Sequence, residues 1–170
     1  EAISFTGSQA GILTDDSHTN AQIIDIRPIR IEEELKKNRV IVLAGFQGVS
    51  PKTKEITTLG RGGTDLTAVA MAQYFKSERC EILKEVDGVY SADPKLVSNA
   101  RQIPELNFQT LQELTFWGAK MIHHRAAELA ANNKLPIYVG LAHGKGAGTL
   151  IHEGVKMFEE KRILSVNSHN

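Results

Sequence analysis

The segment Gly60-Arg61-Gly62-Gly63 interleaves an arginine with glycines and runs into Thr64-Asp65 at the start of a stretch with helical periodicity. Leu66, Val69, Ala70 and Phe75 mark the apolar face of that stretch. Capping by Thr64 or Asp65, each able to accept an orphan backbone N–H, accounts for those two residue types. It does not account for the arginine among glycines, which are costly to order and useful mainly where backbone approaches a ligand closely. Backbone N–H groups at a helix start, the positive end of the helix dipole and a guanidinium fork together suit a small anion, either carboxylate or phosphate.

Two familiar phosphate motifs do not fit. Gly60-Arg-Gly62-Gly-Thr-Asp65 has aspartate where a dinucleotide fingerprint needs its third glycine. Gly140-Leu-Ala-His-Gly144-Lys145 is one residue short of a P-loop and has no hydroxyl residue after the lysine. A second candidate segment runs Glu85-Val86-Asp87-Gly88-Val89-Tyr90-Ser91-Ala92-Asp93-Pro94-Lys95, directly after an apolar strand-like run. Open α/β sheets place ligand loops at such strand ends, so a nucleotide loop is one reading. A pair of ordinary turns at Asp87-Gly88 and Asp93-Pro94, with Tyr90 as a packed spacer, is the other. Spacing alone does not choose between them.

The elements that must position these residues follow from periodicity. Residues 22–26, 40–46, 80–86 and 137–139 are short, apolar and rich in β-branched types, and are predicted to be core strands. Helical patterns over 31–37, 64–76, 110–116 and 119–132 alternate with them. That alternation predicts an α/β fold, helices covering the faces of a mostly parallel sheet. The largest predicted loop is 47–53, with Gly48, Ser50 and Pro51 as turn residues. From Glu153 the pattern changes to spaced apolar residues on a charged background, and Arg162-Ile-Leu-Ser-Val166 begins a new strand-like run. The expected division is therefore a domain over 1–152 and a linker with the start of another domain over 153–170.

The chain has 170 residues, 41% of them hydrophobic, enough to bury one core. Lys and Arg number 20 against 20 Asp and Glu, so no global field favours nucleic acid or an anionic membrane, and an anion site has to be built locally. The single cysteine, Cys80, fits a reducing, cytoplasmic setting and reads as a buried small hydrophobe. No apolar run approaches the roughly 20 residues of a membrane span. His123 and His124 are adjacent, so a helix turns them about 100° apart and they cannot share a metal; no protein metal ligand is assigned. Trp117 reads as core or interface, and a lone Lys120 as a surface lysine.

Taken together, Thr57 to Asp65 with the following Leu-Thr-Ala-Val-Ala, Val86-Asp-Gly-Val-Tyr90 with Asp93-Pro94-Lys95, and Phe116-Trp-Gly-Ala-Lys120 resemble, in order and spacing, successive signatures of the aspartokinases within the amino acid kinase family. Phe5-Thr-Gly-Ser-Gln-Ala-Gly11, Leu43-Ala-Gly-Phe-Gln-Gly48 and Gly148-Thr149 extend the likeness over nearly residues 2–151. The resemblance implies a three-layer αβα sandwich, of which this is the nucleotide-binding half. It also implies transfer of the γ-phosphoryl of ATP to the β-carboxylate of L-aspartate, opening lysine, threonine and methionine biosynthesis. Carried over by position, Arg61 and Thr64 would hold the aspartate, and Asp65 would orient groups around the moving phosphoryl. Tyr90 would lie beside the adenosine, Lys95 near the phosphates, Lys120 on the leaving side, and the backbone of Lys84 and Glu85 along the base or ribose. Mg²⁺ would ride on the phosphates. Thr64 stands where family members often have serine, and Lys84-Glu85 where a Thr-Asp or Ser-Asp pair is usual.

The family's N-terminal lysine and glycine-rich phosphate loop, and its acidic substrate segment, have no counterpart in this sequence. Ile163-Leu-Ser-Val-Asn-Ser168 resembles the first strand of the family's regulatory domains, through which homo-oligomers are expected to form. A cut chain holding roughly half an active site, with little activity by itself, is the expectation. Another family member with a different acceptor, such as glutamate or a nucleotide, and a non-catalytic nucleotide-binding or dimerising module are the competing readings.

Overall fold

The computed structural model describes residues 1–119, 121–143 and 146–154. Lys120, the Gly144-Lys145 pair and residues 155–170, on which the expected linker and further domain almost wholly fall, lie outside them. The chain forms two compact units, one over residues 1–74 and one from residue 75 onward.

The first unit contains β1 (Ala2–Phe5), β2 (Ile12–Thr14), β3 (Ile23–Ile26), α1 (Ile29–Leu35), β4 (Val40–Leu43), β5 (Gln47–Val49), β6 (Ile56–Thr58) and α2 (Gly63–Tyr74). β1 pairs in parallel with β4, Ala2 opposite Val40 and Phe5 opposite Leu43. The other sheet has the order β3-β2-β5-β6. Ile12, Leu59 and Val69 are fully buried in this unit, and the guanidinium of Arg30 lies 5.0 Å from the centre of the Phe5 ring.

The second unit contains β7 (Cys80–Lys84), β8 (Val89–Tyr90), β9 (Gln102–Ile103), β10 (Glu105–Leu106), α3 (Phe108–Phe116), α4 (His124–Asn133), β11 (Ile137–Leu141) and β12 (Thr149–Ile151). Its main sheet has the order β10-β12-β11-β7, and β8 pairs with β9. Leu111, Ala126, Ala130, Ile137, Val139 and Ile151 are fully buried.

Strand direction follows from what connects each pair. The parallel pairs β1–β4, β2–β5, β7–β11 and β10–β12 each have at least one helix between them in the chain. The antiparallel pairs β2–β3, β5–β6, β8–β9 and β11–β12 are consecutive strands joined by a loop, as hairpin geometry requires. The α/β class expected from the sequence is therefore observed, with antiparallel hairpins added to the parallel pairs.

Several local expectations are corrected. Residues 47–49 of the predicted loop are a strand, because Gln47, Gly48 and Val49 pair with Thr58, Thr57 and Ile56 across a hairpin that no short-range signal announces. The expected core strand at 40–46 ends at Leu43 and exposes Val40 and Val42 by 65% and 55%, the side-chain period of two placing them opposite Ile41 and Leu43. The last helix starts at His124 rather than 119, since His123 is extended and its Nδ1 accepts the Arg125 N–H, an N-cap that periodicity cannot see. α3 starts at Phe108, capped by Asn107 through the Thr110 N–H at 2.7 Å. Trp117 is not a core residue: it is 64% exposed, edge-on to Phe116 with ring centroids 5.3 Å apart. Cys80 is buried as expected. Among the described residues no helix is long and apolar enough to cross a membrane.

Candidate functional site

In the first unit, the glycine-arginine segment is the turn between β6 and α2. β6 is anchored on both sides. Gly48 pairs with Thr57 in the ladder, and the buried hydroxyls of Thr14 and Thr57 meet at 2.5 Å. On the outer side, both the N–H and the hydroxyl of Thr58 donate to the His18 carbonyl, at 2.9 and 2.6 Å, and the Ala21 N–H donates to Thr58 O at 2.9 Å. The residue 15–21 loop is thereby fastened alongside the turn.

Gly60 follows at φ 75° and Gly62 at φ 70°, the left-handed region that side chains resist. At Gly60 the space is closed as well: a Cβ would stand 2.8 Å from the Thr19 carbonyl oxygen and 3.1 Å from Asn20 Oδ1. The Gly63 N–H closes onto Gly60 O at 3.0 Å, and the Leu66 N–H onto Gly62 O at 3.0 Å, which starts the helix. Thr64 and Asp65 are thus inside the first turn of α2, not its cap. Arg61 and Thr64 are exposed at the helix mouth and Asp65 is half-buried beside them. The turn of glycines holds a cation and a hydroxyl next to the positive end of a helix, an arrangement suited to a carboxylate.

Thr67, one turn further on, is a residue whose role sequence reading missed. It is buried; its hydroxyl donates to Gly63 O at 2.7 Å and accepts the Phe46 N–H at 3.1 Å. Phe46 sits at φ 76°, and its carbonyl accepts the Leu59 N–H at 2.9 Å. One side chain therefore ties the 44–47 segment to the first turn of α2. The only hint in the sequence was a polar residue among apolar ones on the buried face.

In the second unit, β7 delivers Lys84 and Glu85 to the C-terminal end of a parallel strand, and the Lys84 carbonyl accepts the Ala142 N–H from beyond β11 at 2.8 Å. Lys84 is half-buried and Glu85 exposed. After the turn at Asp87-Gly88 the Tyr90 hydroxyl donates to Asp87 Oδ1 at 2.6 Å. That bond, then burial and the charge of Asp87, raise the phenol pKa. The second turn is also present. Asp93 Oδ1 accepts the Lys95 N–H at 2.9 Å, and the Leu96 and Val97 N–H groups close onto Asp93 O at 3.0 and 2.9 Å, leaving Lys95 exposed on a tight bend.

The structure thus gathers Arg61, Thr64 and Asp65 at one helix mouth, and Lys84, Glu85 and Tyr90 along one strand end and the turn that follows it. Lys120 lies outside the described residues.

Comparison with known proteins places these segments in a family. The model of the amino acid kinase family matches residues 1–140. The chain is 46% identical over 155 residues to an aspartokinase of Mycobacterium tuberculosis, covering 91% of this chain and 37% of that protein. Among solved structures, E. coli aspartokinase III in complex with aspartate and ADP superposes with a TM-score of 0.82 at 29% identity, over 92% of this chain and 36% of that one. Aspartate kinase from Synechocystis superposes with a TM-score of 0.72 at 39% identity, over 94% of this chain and 25% of that one. The chain accordingly spans about 37% of the length of the first curated relatives it matches. With its family model matching from the first strand through most of β11, the chain belongs to the amino acid kinase family.

Proposed function

We propose that this chain carries part of the active site of an ATP-dependent aspartate kinase, which makes 4-phospho-L-aspartate and ADP. The observation that carries the reading is the helix mouth of α2, where a tightly held glycine turn presents Arg61 beside Thr64. Support comes from the 46% identity to a protein named aspartokinase and from the likeness to a structure holding aspartate and ADP.

In this reading the Arg61 guanidinium takes a carboxylate of aspartate as a bidentate pair and Thr64 adds its hydroxyl, holding the acceptor for the transfer. The β-carboxylate is already ionised near neutral pH, so no general base is required. One of its oxygens forms the new bond to phosphorus while the bond to the β,γ-bridging oxygen breaks, and ADP leaves with that electron pair. Asp65 orients groups around the transfer. Tyr90, Lys95 and the backbone of Lys84 and Glu85 hold the nucleotide, and Lys120 offsets charge on the leaving side. A Mg²⁺ would be carried on the nucleotide phosphates. That cation neutralises phosphate charge when bound. Association of whole polypeptides into homo-oligomers belongs to the same proposal.

The experiment is calorimetric titration of the chain with Mg-ADP and, separately, L-aspartate. Mg-ADP binding weakened by Tyr90→Ala and Lys95→Ala, and aspartate binding weakened by Arg61→Ala, are the expected results. Nucleotide binding indifferent to both loop substitutions would remove the donor assignment.

A further inference from the structure

We propose that Thr149 and Gln102 are positioning residues for the donor nucleotide, because they fix the turn at residues 87–90 that carries Tyr90; the inference rests on the assignment of nucleotide to that turn. Thr149 is fully buried at the start of β12. Its hydroxyl accepts the Val89 N–H at 2.8 Å and donates to the Ile103 carbonyl at 2.6 Å, so one oxygen joins three strands, β8, β9 and β12. From β9, Gln102 Nε2 donates to the Asp87 carbonyl.

The two side chains close on the turn from different strands. At Gly88, φ 149°, a Cβ would stand 2.7 Å from Gln102 Nε2 and 2.8 Å from Thr149 Oγ1, so only glycine lets the backbone lie this close to both. β8 and β9 form a separate two-stranded ladder, whereas β12 belongs to the sheet containing β11 and β7. The Thr149 hydroxyl therefore ties the small ladder directly to the main sheet, and the orientation of Tyr90 depends on it. A valine in its place fills the same volume but offers Val89 no acceptor, leaving a buried donor to find another conformation.

The test compares Thr149→Val with Thr149→Ser in this chain, reading amide exchange and Mg-ADP affinity together. In Thr149→Val the Val89 amide is expected to exchange about 10-fold or more faster and Mg-ADP to bind about 10-fold more weakly, from loss of one buried hydrogen bond. Ala130 in α4 should keep its exchange rate, which shows that the unit remains folded. Thr149→Ser, which keeps the hydroxyl, should restore both readouts. Gln102→Leu, at a half-buried position, should move both readouts the same way and replaces Thr149→Val if that variant does not fold. Faster Val89 exchange with unchanged Mg-ADP affinity overturns the positioning role, as does unchanged exchange. If the unsubstituted chain does not bind Mg-ADP, the same substitutions are read in a polypeptide of the relatives' length carrying this sequence. Mg-ADP binding there that is indifferent to Tyr90→Ala and Lys95→Ala overturns the nucleotide assignment itself, and the inference with it, whatever the exchange rates show.

Discussion

The hydroxyl of Tyr90 donates to the carboxylate of Asp87, three residues earlier, at 2.6 Å, closing the turn that Gly88 makes possible. The bond holds the phenol in its protonated form, and the folded-state pKa is raised above the ordinary tyrosine value. A raised pKa contributes stability that is fully present below the unfolded value, near pH 10, and is lost as pH rises through the folded one. Alkaline titration followed by tyrosinate absorbance should therefore show Tyr90 ionising late, with loosening of the 87–90 turn as it does. Asp87→Ala, which removes both the acceptor and the charge, should return the phenol toward its ordinary range. A Tyr90 titration indifferent to that substitution would dissolve the link.

Thr67 joins Phe46 and Gly63 through a buried hydroxyl. Thr67→Val keeps the shape but withdraws both bonds, and the part-buried Phe46 N–H loses its acceptor. A loss of about 1–3 kcal/mol is expected, measurable as a lower urea midpoint. Thr67→Ser should recover most of it, since the oxygen returns.

Gly60→Ala combines two penalties. The left-handed backbone costs an alanine about 1–2 kcal/mol, and the added methyl would press on the Thr19 carbonyl at 2.8 Å. The variant should be less stable by at least that amount and should weaken aspartate binding, because Arg61 follows immediately. Gly63→Ala is the comparison: its Cβ meets the Leu59 side chain at 2.9 Å and Phe46 Cδ2 at 2.9 Å, without a left-handed φ to sustain. The urea midpoints of the two variants check this.

Arg61 is exposed, so its removal should change stability by less than about 0.5 kcal/mol. In a polypeptide of the relatives' length carrying this sequence, Arg61→Ala should raise the aspartate KM about 10- to 100-fold, the loss of a charged hydrogen-bonded pair. The ATP KM should stay within about threefold. Equal rises in both would remove Arg61 from the acceptor site. Arg61→Lys should recover only part of the loss, because an ammonium cannot reproduce the bidentate fork.

Legibility from sequence varied with the range of the interactions involved. The helices containing Ile31, Val69, Leu111 and Ala126, and the strands containing Ile41, Ile82 and Val139, could be read because apolar period and residue type are local properties. The glycine turn could be read because Arg61 among glycines has few local explanations. Strand β5 could not, since its residues look like a loop until Thr57 pairs with Gly48. The start of α4 could not either, because an imidazole acting as an N-cap has no periodic signature.

By itself the sequence determined the α/β class, the family, and which residue types stand at the helix mouth and at the strand end after β7. These depend on local composition and on order along the chain. Only the tertiary structure decided which polar side chains hold those segments in place. Thr149 reaches Val89 across 60 positions, Thr14 meets Thr57 across 43, and Thr67 meets Phe46 across 21. A threonine in a strand or helix reads as a neutral filler until the fold brings a distant polar group to its hydroxyl. The physical reason is that a buried N–H or C=O must find a partner, and the chain cannot specify that partner locally once the two are separated by a strand crossing.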